Sequence, residues 1–501
     1  MRRQTMAVFK IHEKDNVAVA VSPVAKGETV IVGAKAFAAL TDIPAGHKVA
    51  ISPIAKGQDV IKYGFPIGIA KEDIPVGTWV HTHNVQSKLG DLLHYSYEPE
   101  KADRQELTTN KTYEFLGYKR PDGTAGIRNE VWIIPTVGCV NSIARAIEDA
   151  SQPFKTAHID GIYAYSHPHG CSQLGDDQTH TQKILSGLVH NPNAGAVLVL
   201  SLGCENNQVD LMKEVIGEYN PDRVKFLVCQ DVEDEIAAGT AIVKELCAYA
   251  DQFYRQPCDA SLLTIGLKCG GSDGLSGITA NPLVGEISNR LVAAGGTSIL
   301  TEVPEMFGAE TLLMNRARDE EVFDKTVSLI NDFKEYFMSY GEKVNENPSP
   351  GNKAGGITTL EDKSLGCVQK GGRAIVEDVL SYGDRAVKKG LNLLQAPGND
   401  LVASNALAAA GAHMVLFTTG RGTPFACPVP TIKISSNSRL AGFKTNWIDF
   451  NAGTITEGES KDAAADRFFQ YILDVASGKI HAKSEALDKH ELAIFKNGVT
   501  L

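Results

Sequence analysis

Four apolar, β-rich runs of the chain end in cysteines that adjoin glycine: Cys139 in "TVGCVN", Cys171 in "HPHGCSQLGDD", Cys204 in "LSLGCENNQ" and Cys269 in "LKCGGSDGLSG". Ligands of open α/β sheets bind beyond the carboxyl ends of the strands. Four thiols at such ends are therefore candidates for metal ligation or substrate contact. The bland alternative is that Gly-Cys is small and packs well, since a free cysteine often serves as a small buried hydrophobe. A second arrangement is "VHTHN", where His81 and His83 stand two apart. In a strand they would share one face. Two imidazoles on one face can bind one metal ion, but they leave it short of ligands.

The glycine-rich run after Cys269 lacks the Gly-Lys-Ser/Thr ending of a phosphate loop and the spacing of a dinucleotide fingerprint. Its glycines would let backbone amides approach a carboxylate or a sugar hydroxyl. Cationic candidates lie in similar contexts: Arg128 in "TAGIRNE", Lys353 in "NPSPGNKAGG" and Arg421 in "TTGRGTP". Arginine suits bidentate carboxylate binding. Glu302 and Glu305 follow the run "TSIL". An iron–sulfur centre gathering Cys139, Cys204 and Cys269 is a rival use of the thiols, although their spacing matches no ferredoxin run.

These residues need elements to hold them. "SPVAKGETV", "TDIPAGHKV", "SPIAKGQDV" and "EDIPVGTWV" repeat an apolar position, a turn glycine and a valine. That is turn chemistry opening short strands, and it predicts a small all-β module over residues 1–95. Residues 96–112 are polar and read as a linker. From residue 113 apolar runs alternate with amphipathic segments, the pattern of parallel sheets covered by helices. Two α/β domains are expected, 113–258 and 259–501, with a join near "YADQFYRQPCDA".

Bulk properties narrow the function. The chain has 501 residues, a formal charge of -11 and no long Lys/Arg run, which argues against nucleic acid. No apolar stretch is long enough for a membrane span. The N-terminus lacks a signal-peptide core, and nine cysteines without CxxC pairs suit a reduced, cytoplasmic protein.

Longer stretches carry a resemblance. "GIRNEVWIIPTVGCVN", "NAGAVLVLSLGCENNQ", "GLKCGGSDGLSGITANP", "LTEVPEMFGAE" and "ENPSPGNKAGGITTLEDKSLGC" are similar to the galactarate dehydratase/altronate dehydratase family over nearly the whole chain. The N-terminal module resembles its SAF domain, a β-clip fold. The resemblance implies a hydro-lyase that converts D-altronate to 2-dehydro-3-deoxy-D-gluconate in hexuronate catabolism, with Fe(II), or Mn(II), as cofactor. Loss of the C3 hydroxyl after C2 deprotonation needs a base and positive charge near the enolate. On the residue reading, His81 and His83 hold the metal, completed by His167 or a strand-end cysteine such as Cys204. Glu305 or Lys353 is the base. Arg128, Arg421, Asn84 and Cys139 contact the substrate. A small sugar acid is the expected partner, and a homo-oligomer is compatible with this reading.

Overall fold

The computed structural model describes residues 8–90, 92–99, 106–487 and 490–500. The N-terminal module is all β. One antiparallel sheet joins Val8–Phe9, Val17–Ala20, Lys48–Ala50 and Trp79–Val80, and a second joins Asp59–Lys62, Phe65–Ala70 and Val85–Gln86. The sequence repeat explains the symmetry. The third residue of each unit pairs with its counterpart in the next, Val24 with Ile43 and Ile54 with Ile74. All four residues are buried. The repeat glycines Gly27, Gly46, Gly57 and Gly77 all take φ between 80° and 86°. Side chains rarely adopt that conformation, which is why the repeat keeps glycine there.

Two parallel sheets follow. The first consists of β1 (Glu130–Pro135), β2 (Gly161–Ala164), β3 (Ala194–Ser201) and β4 (Val224–Val228), in the order β2-β1-β3-β4. The second has seven strands: β5 (Thr264–Cys269), β6 (Thr297–Leu300), β7 (Val376–Leu380), β8 (Gly390–Leu394), β9 (Met414–Thr419), β10 (Thr431–Ser435) and β11 (Phe450–Asn451). Their order is β7-β8-β6-β5-β9-β10-β11, and every pairing is parallel. The strands β1, β3, β5 and β9 are almost wholly buried, since helices cover both faces. The helix Gly175–Val189 of the first α/β domain packs on Asp400–Ala409 of the second, within one shared apolar cluster. A small antiparallel sheet pairs Glu114–Lys119 with Arg255–Asp259 and so closes the first α/β domain on itself. The start of the linker lies on the C-terminal domain, where Tyr97 packs against Phe323 and donates to the Ala317 carbonyl at 3.4 Å.

The β module docks on the C-terminal domain, and three glycines make the contact close. A Cβ on Gly274 would lie 1.8 Å from the Gly46 carbonyl oxygen, and one on Gly356 would lie 2.2 Å from it. Beside this backbone contact, the fully buried Lys48 and Lys62 both reach Asp362, at 2.8 and 2.9 Å. Burial opposes charge on Asp362, but the two ammonium groups outweigh it and hold the carboxyl well below its ordinary range. Lys48 carries the net cost: burial brings it down to about 8.

Candidate active site

The short helix Leu360–Cys367 is buried along its whole length. Thr359 caps it by accepting from the Asp362 amide, and "TLED" supplies the acidic first turn. Asp362 meets the β module, while Lys363 and Cys367, four residues apart and so on one face, meet the carboxyl end of β5. There Cys269 and Cys367 bring their sulfurs to 3.5 Å. Both thiols point at Glu305 Oε2, each at 3.1 Å. The other oxygen of Glu305 accepts from Lys363 at 2.7 Å.

Behind this trio lies a second layer of charge. Lys268, on β5, donates to Glu302 and pairs with Asp400 at 3.0 Å. Lys370 reaches Glu302 at 3.2 Å. Glu302 sits in the left-handed region with φ 73°, a conformation that costs a non-glycine residue about 1–3 kcal/mol. The strained turn aims its carboxylate at Lys268, Lys370 and the Cys269 amide. Burial alone would push Glu305 up, but Lys363, Lys268 and Lys370 overcome it and hold the carboxyl well below its usual range. Burial opposes the charge on Lys363, but Glu305 together with Cys367 and Cys269 more than offsets it and holds the ammonium cationic. The Cys367 thiol is pushed well up, first by its hydrogen bond with Cys269 and then by burial.

Glu305 and Lys363 open on a cavity of about 690 Å³ lined also by Gly270, Gly271, Asn347, Ser349, Asn352, Asp400 and Phe425, among others, with the two thiols buried behind them. Glycines on one wall, amides and a hydroxyl on another and an ammonium–carboxylate pair at the base suit a small polyhydroxy anion.

Residues 260–500 match the family described as D-galactarate/Altronate dehydratase, C-terminal. Residues 117–251 match D-galactarate dehydratase/Altronate hydrolase, second domain, and residues 6–88 match the Altronate/galactarate dehydratase SAF domain. The chain belongs to the galactarate/altronate dehydratase family. It is 52% identical to the altronate dehydratase of Escherichia coli K12, over 99% of this chain and all of that one. It is also 52% identical to the altronate dehydratase of Bacillus subtilis 168, over 98% and 99% of the two chains. The galactarate dehydratase (L-threo-forming) of Escherichia coli K12 is 34% identical over 99% and 98%. The SAF module and the parallel α/β domains expected of this family are therefore both present.

The structure separates residues that the sequence reading had joined. His81 and His83 stand in a turn between Trp79–Val80 and Val85–Gln86, so no strand aligns them. His81 is buried, bonds Thr358 Oγ1 through Nδ1 at 3.1 Å and is lowered by burial to about 3. His83 is exposed, and both rings lie against Trp79. His167 has both ring nitrogens engaged, Nε2 with the Pro135 carbonyl at 2.7 Å and Nδ1 with the His169 amide at 3.1 Å. Cys204 is exposed on the first α/β domain and accepts from Gln230. These four therefore do not form one metal site. Among the described residues, the trio Cys269, Glu305 and Cys367 is the cluster with ligand atoms close enough together for a single ion.

Other placements also change. Arg128 spends its donors on Glu485 and on the carbonyls of Ile127 and Val475, so no fork remains for a substrate. Asn84 bonds His81 and Trp79 and builds the turn. Cys139 is exposed on the other α/β domain. Lys353 lies on the helix Pro350–Ala354 that borders the cavity but is not among its lining residues, whereas Lys363 is. Arg421 is exposed at the rim, against Gly271 and Gly351. Glu305 alone of the expected residues lies at the base of the cavity. Lys268, Lys363, Cys367 and Lys370 were missed, while Glu302, named beside Glu305, lies in the charged layer behind it. A legible signal existed for two of them: Lys268 is a charge inside the apolar run "TIGLKC", and Cys367 closes another Gly-Cys pair.

Proposed function

We propose that this chain dehydrates D-altronate to 2-dehydro-3-deoxy-D-gluconate. The observation that carries the proposal is the Glu305–Lys363 pair at the base of a polar cavity, in a chain 52% identical to two altronate dehydratases. The lower identity to the galactarate enzyme, 34%, favours altronate over galactarate. The substrate carboxylate takes up Lys363 and the amide of Gly271, the Gly270 amide being spent on the Thr418 carbonyl. Lys363 then stabilises the enolate that forms as C2 loses its proton. Glu305 accepts that proton. Its low basicity in the free enzyme is a consequence of Lys363, and a substrate carboxylate that draws Lys363 away returns Glu305 toward its ordinary range. Asn347 offers its side-chain amide to the sugar hydroxyls, while Ser349 and Asn352 bond each other and fix the wall beside it.

The trio also fits the expected metal. Two thiols and one carboxylate oxygen suit Fe(II) better than the harder Mn(II). Thiolates on one tetrahedral ion stand about 3.8 Å apart at metal–sulfur distances near 2.3 Å, only slightly wider than the 3.5 Å seen here. Cys269, Cys367 and Glu305 Oε2 would hold the ion, and when bound it supplies Lewis acidity for the departing hydroxyl. Glu305 Oε1 stays on the Lys363 side for the proton.

The test is turnover of D-altronate by the purified full chain, kept anaerobic with Fe(II), against galactarate as the competitor. Formation of the 2-keto-3-deoxy product from altronate, lost in Glu305→Gln, is the expected result. Preference for galactarate, or full activity of the chelated enzyme, would overturn the substrate or the metal assignment respectively.

A further inference from the structure

The first α/β domain carries a second group of thiols that the reaction above does not use. Cys171, Cys139 and Cys204 follow β2, β1 and β3, which are neighbours in that order in the sheet. Adjacent strands lie ~4.8 Å apart, so the outer two loops leave the sheet only ~10 Å from each other, with the third between them. All three thiols are free and exposed.

The loops are tied together, which keeps the thiols in one place. The Gly138 amide donates to the His169 carbonyl at 2.9 Å, and Asn141 donates to the His167 carbonyl at 2.9 Å. The Asn207 amide donates to the Gly170 carbonyl at 3.2 Å, and its side chain to the Thr136 carbonyl at 3.0 Å. Glu205, buried, accepts from Thr136 at 2.6 Å and from the Gly203 amide at 2.6 Å. Each cysteine follows a glycine, and each glycine is a point of close approach. A Cβ on Gly138 would stand 2.8 Å from the His167 carbonyl oxygen, one on Gly170 2.0 Å from that of Thr136, and one on Gly203 2.7 Å from Gln230. Gly170 and Gly203 also take positive φ, 96° and 126°. The glycines thus let three cysteine-bearing loops pack at the distance set by the strands.

We infer that Cys139, Cys171 and Cys204 bind a cubane 4Fe–4S cluster, three of its irons held by these thiolates and the fourth open to an oxygen ligand. Two observations select a cluster over a single ion. Among the described residues these three thiols do not form a group with all ligand atoms within 4.8 Å of one another, as the two sulfurs and one carboxylate oxygen of the C-terminal trio do. A cubane needs its cysteines farther apart than one tetrahedral ion does. In addition, Gln173 Nε2 and Asn207 Oδ1 are buried in these loops without a partner, on residues 3% and 0% exposed. Such groups are uncommon in folded proteins and call for a further partner, which a group bound between these loops would supply. Cys269, which sequence grouping put with Cys139 and Cys204, belongs to the other site, and Cys171 takes its place.

The experiment is anaerobic reconstitution of the full chain with Fe(II) and sulfide, followed by iron and acid-labile sulfide analysis, visible absorption and electron paramagnetic resonance after dithionite reduction. The expected result is equal amounts of iron and sulfide in the cluster fraction and a broad visible absorption. Cys139→Ser, Cys171→Ser and Cys204→Ser should each lose that absorption while circular dichroism stays unchanged. Cys269→Ser and Cys367→Ser should keep it while losing the chelatable Fe(II), so the two sites fail separately. A reconstituted wild-type chain without labile sulfide, zinc bound in place of iron and sulfide, or a triple Cys→Ser variant that keeps the absorption would each overturn the inference.

Discussion

Glu305 and Lys363 set each other's protonation, and this decides how the site responds to substitution. Replacing Glu305 by Gln removes the proton acceptor but keeps its shape. Turnover should fall ~10²–10⁴-fold, the usual worth of a positioned acid–base group. A steady-state assay with an unchanged denaturation midpoint would show that chemistry, and not folding, was lost. Lys363→Gln removes the cation that holds Glu305 low. The sign follows: with less positive charge nearby, Glu305 holds its proton to higher pH, so the acidic limb of kcat/KM against pH should move up. A limb that stays in place would mean that Glu305 is not the group that titrates. These partners were hard to read from the sequence because Lys363 stands 58 positions from Glu305, and only the docking of one helix on one strand end unites them. Glu305 itself was legible, since it follows an obvious strand.

The helix Leu360–Cys367 works as an adaptor, with Asp362 toward the β module and Lys363 and Cys367 toward the cavity. Removing one partner of a buried ion pair leaves its fellow charged and unpaired, at a cost of about 3–5 kcal/mol. Asp362→Asn strands two buried ammonium groups and should lower stability by at least that range in urea unfolding. Lys48→Met combined with Asp362→Leu should cost less than the sum of the single changes, because the groups share one network. The folded Asp362 carboxyl lies below its unfolded range. Its contribution is therefore fully present above pH ~4 and lost as pH falls further. Wild-type melting temperatures should drop over that interval, and the Asp362→Asn variant should show a flatter dependence. Sequence reading found the strands and the long helices of both α/β domains, because their apolar periodicity is strong. It placed the histidines on a strand because "WVHTHN" looks extended, whereas Asn84 bonds back to the His81 amide and Trp79 carbonyl and bends the segment into a turn.

Across the whole molecule three domains meet, and among the described residues no helix is long and apolar enough to cross a membrane. The domain types were legible from composition and repeats. Their mutual placement was not, because it rests on contacts between segments about 300 positions apart, such as Lys62 with Asp362. Gly274→Ala tests that placement directly. Gly274 does not take positive φ, so its own loop tolerates alanine, but the new Cβ would lie 1.8 Å from the Gly46 carbonyl oxygen. The variant should free the β module, seen as faster proteolysis within residues 87–112, while the α/β domains keep their melting transition. Unchanged proteolysis would show that the module holds its place by other means.

The glycine-to-glycine seam has a mechanical consequence. Side chains are the yielding part of most interfaces, since a rotamer change absorbs a small displacement. Where Gly46 meets Gly274 and Gly356 there is no rotamer to turn. The Gly274 loop is continuous with Gly270 and Gly271 in the cavity wall, and Asn352 ties Ser272 to the opposite wall. Any widening of the cavity therefore reaches the β module as a displacement and not as a repacking. Trp79 stands beside that seam, stacked on His81 and donating to His47. Its fluorescence makes it a built-in strain gauge for the filling of a cavity it never touches.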